Sequence, residues 1–324
     1  MTKAIRLYEQ GGPEVLKYED IKLTAPGPGE AQVHHKAIGL NFIDVYHRSG
    51  LYPLPQFPWT IGMEGAGVIE AVGEGVSEVA VGDRVAYASP PPGAYADARN
   101  MAATNLVKLP DDISFEQGAA MMLQGMTVEY LICRTYAVTA GETVLVHAAA
   151  GGVGLMQCQW LNHIGATVIG TVGSAEKSAL AKAHGCHHTI NYRTEDWVSR
   201  VKEITNGEGV PVVYDSVCND TFSGSLECLK RLGMMVNFGQ ASGPYNDFTT
   251  SMLAPKSLFL TRPTLFGYNA TRPELEASAA ALFKVVQNGA VKIEVNQTYP
   301  LAETIQAHRD LEARKTTGST ILIP

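Results

Sequence analysis

The sequence is poor in the features that mark secreted, membrane-spanning or nucleic-acid-binding chains. Its 324 residues include only 5 cysteines, Cys133, Cys158, Cys186, Cys218 and Cys228, an odd number and widely spread. A disulfide framework wants clustered, even numbers in a shorter chain, so a reducing compartment and a cytoplasmic location are expected. No two cysteines form CxxC or another close ligand pair, so the spacing gives no support to a zinc knuckle. No stretch reaches the ~18 apolar residues of a spanning helix; Gln124 and Gln157 break the best candidates. The opening MTKAIRLYEQ carries Lys3, Arg6 and Glu9 and no apolar segment, which argues against a signal peptide. Cations are scarce too: 25 Lys plus Arg face 32 Asp plus Glu, a net charge of −7. Such a chain has little general pull on phosphate backbones or anionic membranes, so neither nucleic acid nor membrane is the expected partner.

Length and glycine are not lacking. At a prior of about 150 residues per domain the chain suggests two domains, and it carries 32 glycines. The part up to residue 110 alternates turn signals (Gly11-Gly12-Pro13, Pro26-Gly27-Pro28-Gly29, Pro90-Pro91-Pro92-Gly93) with the β-like runs Lys3–Leu7, Ala31–Ile38, Gly67–Val72, Asp83–Ala88 and Leu106–Leu109. That texture predicts a mostly β unit. Ser114 with Gln117 three residues on is a capping box that opens a helix. From Glu142 to about Gly239, the β runs Thr143–Val146, Thr167–Thr171, His188–Ile190, Val212–Tyr214 and Met235–Phe238 alternate with helical patterns near 155–164, 175–184, 195–204 and 221–231. Strands alternating with helices of that length mean βαβ units and a parallel sheet, an α/β fold. After Pro263 the pattern predicts a helix at Pro273–Gln287, a strand at Val291–Val295, a helix at Ala302–Glu312 and a closing run at Thr320–Ile323. Composition does not decide whether these extend the sheet or return to the first domain.

Within the second texture, a buried run (TVLVHAAAGGVG, 143–154) leads into Gly151, Gly152 and Gly154 and then a helix. A phosphate must come close to backbone donors at a helix N-terminus, and side chains there would obstruct it. Ala149 stands where the first glycine of GxGxxG would be, while Gly151 and Gly154 fit; the strand before and helix after make this a dinucleotide site. NAD sites place Asp or Glu about 20 residues on, against the ribose hydroxyls. Here the next strand ends in Gly173-Ser174, the first acid is Glu176, and Lys177 suits a 2′-phosphate. The expected cofactor is therefore NADP(H), although Ser174 could equally be a helix cap and Lys177 a solvated first-turn residue.

Four further segments complete a pattern: KAIGLNFID (36–44), GMEGAGVIEAVGEG (62–75) followed by VGDRV (81–85), YHRSGLY (46–52), and VYDSV (213–217) with Thr261-Arg262-Pro263. With Ala148–Gly154 they resemble the zinc-free, zeta-crystallin-like quinone oxidoreductases of the medium-chain dehydrogenase/reductase superfamily, over essentially the whole chain. The resemblance implies a Rossmann doubly wound parallel-sheet domain inserted in a GroES-like, mostly β substrate domain. The corresponding boundaries are residues 1–122, 123–265 and a return segment at 266–324. It also implies a homodimer formed by edge pairing of the Rossmann sheets. Cys218 departs from the pattern, which has glycine after Asp-Ser-Val, and Gln240 lies in a variable place. Carried over, Gly151, Gly152 and Val153 would cradle the pyrophosphate, and Gly173, Ser174, Lys177 and Tyr192 would hold the ribose 2′-phosphate. Ser216, Phe238 and Gly239 would flank the cofactor and Phe266 would line the nicotinamide side. Asn41, Asp44, Thr127 and Tyr130 would lie near the nicotinamide, with Arg314 a further cofactor candidate. Asn41 with Asp44 also makes a good helix N-terminus, and Thr127 and Tyr130 could be packing in the linking helix.

The same residues bear on mechanism. In zinc-dependent relatives the metal polarises a carbonyl, but Met63-Glu64 stands where a His-Glu pair would be sought, and no metal is expected. Cys186-His187-His188 places neighbouring side chains on opposite faces of an extended segment, which does not suit a metal site. A quinone or enone is already electrophilic and needs chiefly to be held and offered a hydrogen-bond donor. Tyr46 and Tyr52 are the candidate donors, Asn41 a second one, and His47 a possible relay or a plain structural residue. The expected activity is NADPH-dependent quinone reduction by hydride or single-electron transfer without a metal. The alternatives are an enone or alkenal double-bond reductase and, in a different class, a nucleotide-gated RNA-binding or structural crystallin-like protein.

Overall fold

The computed structural model describes residues 2–324. The chain forms two units, neither continuous in sequence. One comprises residues up to Met126, Asn269–Gln287 and Ile293–Pro324; the other comprises Thr127–Tyr268 and Asn288–Lys292. The passages from one to the other lie within the helix Phe115–Glu129 and at the end of the short helix Leu265–Tyr268, a few residues beyond 122 and 265.

The second unit is built on six parallel strands in the order His188–Asn191, Thr167–Val172, Thr143–Val146, Val210–Asp215, Leu229–Asn237, Phe259–Thr261. Read in chain order this is 3-2-1-4-5-6, the dinucleotide-binding arrangement. Its central strands are runs such as TVLV and VPVVYD, buried along nearly their whole length, as strands covered by helices on both faces must be. The order of strand addition reverses at Thr143–Val146, which pairs in parallel with Thr167–Val172 on one side and Val210–Asp215 on the other. Ligands of such sheets bind beyond the carboxyl ends at that point. The helix expected over 221–231 ends at Cys228, because Leu229 turns extended and begins the strand Leu229–Asn237.

The first unit contains a sheet ordered Val295–Pro300, Ser319–Ile323, Glu30–Leu40, Glu64–Val72, Arg84–Ala88, Val107–Lys108, with Ala98–Ala102 also on Glu30–Leu40. Thr320 pairs opposite Leu40 in the antiparallel ladder, so the chain end returns to the first domain. Ile5, Leu7, Val33, Ile38, Ile69, Val85, Tyr87 and Leu322 form its core. The capping box is made as read: the Gln117 N–H donates to Ser114 Oγ (3.2 Å) and the Ser114 N–H to Gln117 Oε1 (3.1 Å). The strand expected at Val291–Val295 is displaced to Val295–Pro300. Gln159 takes the backbone of Lys292 from both sides, accepting its N–H at 2.9 Å and donating to its carbonyl at 3.2 Å, and this holds Asn288–Lys292 in the second unit.

Cys218 has a physical explanation in its backbone, which sits at φ +72°, in the left-handed region that favours glycine. Its N–H and that of Val217 donate to Asp215 Oδ1 at 2.9 and 2.8 Å, so the turn is held by the buried carboxylate. A non-glycine residue there costs about 1–2 kcal/mol, and burial of the thiol offsets a comparable amount. Cys218→Gly should therefore shift the thermal unfolding midpoint only slightly. Cys218→Val, β-branched in the same region, should cost about 2 kcal/mol or more.

Candidate functional site

The strand Thr143–Val146 ends in a tight turn with Ala148 at φ +54°, and the chain then enters the helix Gly152–Ile164. Gly151 is the N-cap, extended and without a side-chain cap. The first-turn N–H groups of Gly152, Val153 and Gly154 therefore point out of the helix, where its dipole favours an anion. Gly154 permits the helix to press on the turn: a Cβ there would lie 2.8 Å from the Ala149 backbone and meet the Ala148 carbonyl. Gly151, Gly152 and Val153 are half-exposed. Beneath the turn the polar groups are paired. His147 Nδ1 is 2.9 Å from Thr171 Oγ1 and Nε2 is 3.0 Å from Ser225 Oγ. Ser225 donates to Asp215 Oδ2 (3.0 Å), so His147 donates from Nε2 and accepts at Nδ1. Burial holds its pKa below the usual histidine value.

At the end of the neighbouring strand, a Cβ on Gly173 would lie 2.8 Å from Tyr192 Oη and 3.6 Å from Arg193 Nε. Ser174 caps the helix Ala175–Ala183 through the Lys177 N–H (3.2 Å), and Lys177 is half-buried in its first turn. Arg193 is thus brought to the corner that Gly173, Lys177 and Tyr192 share, and the sequence reading did not include it. The signal was available: it is the basic residue directly after Tyr192. On the other side of the central strand, Gly239 lies against Ser216, whose Cα would be 2.9 Å from an added Cβ, and the Phe238 N–H donates to the Asp215 carbonyl at 2.9 Å. Ser216, Phe238 and Phe266 are half-buried. Tyr130 opens a π-helical turn, Tyr130–Thr135, and stacks on Tyr268 with ring centroids 4.5 Å apart. Thr127 is buried one turn earlier. These features fit a dinucleotide: bare donors, a cradle that a Cβ would fill, and cations at the far end of the second strand.

The first unit holds the other candidates. Asn41 precedes the helix Phe42–Ser49, its Nδ2 donating to Glu64 Oε2 (2.7 Å) and its Oδ1 accepting from Gln124 Nε2 (3.1 Å). Gln124 is itself fixed by Ser319, and Glu64 also accepts the Leu123 N–H at 2.8 Å. One Nδ2 hydrogen of Asn41 is thereby committed. Asp44 is fully buried, at 0% exposure. Its Oδ2 accepts from the Asn41 N–H and Tyr95 Oη, both at 2.9 Å. Tyr95 in turn is 3.2 Å from His308 Nε2, His308 Nδ1 accepts from Arg48 (3.2 Å), and Arg48 makes a two-pronged pair with Glu312. Burial raises Asp44 to about 7 and Glu64 to about 8, and lowers His308 to about 3. Tyr46 and Tyr52 meet edge to face at 5.2 Å, with His47 6.0 Å from Tyr52. Burial lowers His47 to about 4, so at neutral pH it is an uncharged ring and no proton-donating imidazolium. Arg314 is exposed, at φ +58° past the helix Thr304–Glu312. Among the described residues no group of three or more His, Cys, Asp or Glu is placed to hold a metal ion.

Comparison with known proteins bears on both units. Residues 27–139 match the family described as alcohol dehydrogenase GroES-like domain, and residues 152–284 the family described as zinc-binding dehydrogenase. The chain is 52% identical to a quinone oxidoreductase of Pseudomonas aeruginosa over 325 residues, covering all of both chains. It is 43% identical to a 2-haloacrylate reductase of Burkholderia sp., covering 100% of this chain and 99% of that one. Its fold matches Escherichia coli quinone oxidoreductase complexed with NADPH at a TM-score of 0.98, with 48% identity and full coverage of both.

The buried carboxyls set a pH dependence. Unfolded, Asp44 and Glu64 ionise near 3.8 and 4.5; folded, they keep their protons to about 7 and 8. Across that window the folded state binds more protons, so stability falls as pH rises, by up to about 1.4 kcal/mol per pH unit per group. Urea unfolding from about pH 4 to about pH 8 should show this decline, and Asp44→Asn or Glu64→Gln should each flatten it. An unchanged slope in both variants would mean that neither carboxyl is protonated in the fold.

Proposed function

The chain belongs to the quinone oxidoreductase family of the medium-chain dehydrogenase/reductase superfamily, and from that premise we infer that it reduces quinones with NADPH. The observation that carries the cofactor is the uncapped turn Gly151–Gly154, followed at the end of the next strand by Gly173, with Tyr192 and Arg193 against it and Lys177 in the first turn of the helix that follows, and no acid among them. On this reading Gly151, Gly152 and Val153 hold the pyrophosphate, and Gly173, Ser174, Lys177, Tyr192 and Arg193 the ribose 2′-phosphate. Ser216, Phe238 and Gly239 line the carboxyl edge of the sheet, Thr127, Tyr130 and Phe266 serve the nicotinamide end, and Arg314 is a further contact. When bound, NADPH supplies the reducing equivalents. The first unit receives the acceptor: Tyr52 and Tyr46 donate to the oxygen that gains charge, and the uncommitted Nδ2 hydrogen of Asn41 is a further donor. Asp44 acts at one remove, fixing Asn41 through its backbone N–H.

A second reading is supported by the 2-haloacrylate reductase relative: an electron-poor carbon–carbon double bond presents the same demand, a polarised acceptor, plus a proton at the adjacent carbon. The enzyme works in the cytoplasm, consistent with five free thiols, and no helix among the described residues is long and apolar enough to cross a membrane. It is a homodimer joined through the sheet edge at Phe259–Thr261, the last strand, where Phe259 is 54% exposed. A bare strand edge with an exposed aromatic is a ready template for a second copy.

NADPH and NADH oxidation with an ortho-quinone, a para-quinone and an alkenal separates the readings. Quinone turnover with NADPH preferred is expected; turnover of the alkenal alone would replace the quinone reading, and tight NADPH binding with no turnover of any acceptor would remove both. Lys177→Ala and Arg193→Ala should each raise KM for NADPH roughly tenfold, the weight of about one charged hydrogen bond, with little change for NADH. Tyr52→Phe should lower kcat for quinones by about tenfold or more without altering NADPH affinity. Phe259→Asp should shift the sedimenting species from dimer to monomer; a monomeric parent protein would end the dimer proposal.

A further inference from the structure

Cys158 and Cys186 lie 28 positions apart in sequence and meet in the interior of the second unit. Cys158 is on the helix Gly152–Ile164, one turn beyond the glycine turn, and Cys186 lies two residues before the start of the strand His188–Asn191. Their thiols are close enough for each to shift the proton equilibrium of the other. Cys158 Sγ also approaches the Ala149 carbonyl at 4.0 Å, and Cys186 Sγ donates to the His188 carbonyl at 3.3 Å. Space for the pair comes from Gly170 on the intervening strand: a Cβ there would sit 2.6 Å from Cys186 Sγ and 2.6 Å from Ala149 Cβ. The sulfurs are therefore packed against the turn that carries the anion-binding donors. Neither thiol has a part in the proposed chemistry.

We propose that Cys158 and Cys186 are an oxidisable dithiol that closes to a disulfide and, in closing, weakens nucleotide binding at the glycine turn. Bond formation draws the sulfurs to about 2 Å, well inside the contact distance of two unbonded thiols. The helix cannot yield without the turn, because Gly154 is already pressed against Ala148 and Ala149. A displacement of Cys158 is therefore transmitted to the N–H groups of Gly152, Val153 and Gly154. By reciprocity, bound nucleotide opposes oxidation by the same factor. The proximity of the two thiols lowers that of Cys186 and raises that of Cys158, giving a nucleophilic member and a proton-holding member. Burial raises the other three thiols, Cys133 to about 11, Cys228 to about 12 and Cys218 above its ordinary value. Cys186 lies just under a surface segment, with His187 and His188 exposed beside it. The chemistry balances with the acceptor class itself: two S–H bonds break, one S–S bond forms, and two electrons and two protons convert a quinone to a hydroquinone.

The test uses the full-length protein, reduced and then treated with diamide or with tetramethyl-1,4-benzoquinone, whose ring carbons are blocked to thiol addition. Non-reducing peptide mass analysis should find the peptides bearing Cys158 and Cys186 joined, with the loss of two hydrogens. NADPH affinity, followed by nicotinamide fluorescence, should fall roughly tenfold and recover with dithiothreitol, and saturating NADP+, which carries no reducing equivalents, should lower the extent of cross-linking. Cys186→Ser and, as a second variant, Cys158→Ser should keep the affinity of the reduced protein and lose the response to oxidant. Both thiols remaining alkylatable after treatment and unfolding would overturn the proposal; a cross-link with unchanged NADPH affinity would overturn the coupling. The coupling rests on the NADPH reading, and the two fail separately: a reduced protein that does not bind NADPH counts against the cofactor, while the cross-link is still scored by mass.

Discussion

Donors at the start of the helix Gly152–Ile164 serve an anion only while nothing in the protein uses them, and that requirement shapes much of the second unit. No side chain caps the helix. The turn is tight enough to need a left-handed residue at Ala148, and the helix lies close enough to need a glycine at 154. A turn left open above must be satisfied below, or buried polar groups would cost about 1–3 kcal/mol each. Here Thr171, His147, Ser225 and Asp215 form one hydrogen-bonded chain beneath it, and Asp215 also ties down the Val217–Cys218 turn on the next strand. One carboxylate thus organises two of the loops at the carboxyl edge of the sheet.

The first unit meets the opposite problem, how to keep a polar site rigid inside a β core. Its answer is a relay graded in charge. The Arg48–Glu312 pair takes the formal charges at the partly exposed end; His308 and Tyr95 are neutral carriers of oriented hydrogen bonds; Asp44 is the buried end and keeps its proton to about 7. Because Arg48 donates to His308 Nδ1, the ring must carry its hydrogen on Nε2, and the direction of the chain is determined up to Asp44. The backbone of Asn41 is held by that relay and its side chain by Glu64 and Gln124. Backbone and amide are fixed by independent sets of contacts, so the amide cannot flip without leaving Glu64 facing an oxygen.

What was legible in the sequence is what depends on neighbours in the chain. The glycine turn, the Ser114–Gln117 box and the central strands all announce themselves within a dozen residues. The strands Leu16–Ile21, Ala98–Ala102 and Phe259–Thr261 do not, being short or charged segments that become strands only beside a partner. Val291–Val295 alternates like a strand but loses its backbone pairing to Gln159. The site divides in the same way. Gly151 and Gly173 could be read from local pattern, whereas Arg193 gains its meaning from a glycine on another strand. For Asp44, the hydrogen bonds that its carboxyl accepts from Tyr95 and Asn41 are visible only in three dimensions.

The candidate proton and hydrogen-bond donors of the first unit differ in what they can supply. His47, pushed down to about 4, is a poor acid at neutral pH, because the cation it would donate from is disfavoured by burial. Asn41 has spent one of its two amide hydrogens on Glu64. Among the tyrosines, Tyr95 is wholly buried, its hydroxyl donating to Asp44, and Tyr46 is 8% exposed, leaving Tyr52 as the half-exposed ring with Tyr46 and His47 packed at its side. A phenol held by two ring edges loses little freedom on meeting an acceptor, and it can donate a hydrogen bond without parting with its proton. A quinone oxygen asks for that kind of donor, since charge develops there before any proton must arrive. A double bond being reduced also needs a proton at carbon, for which the neutral His47 and the buried Asp44 are poorly suited. The arrangement of donors therefore favours the quinone over the alkene.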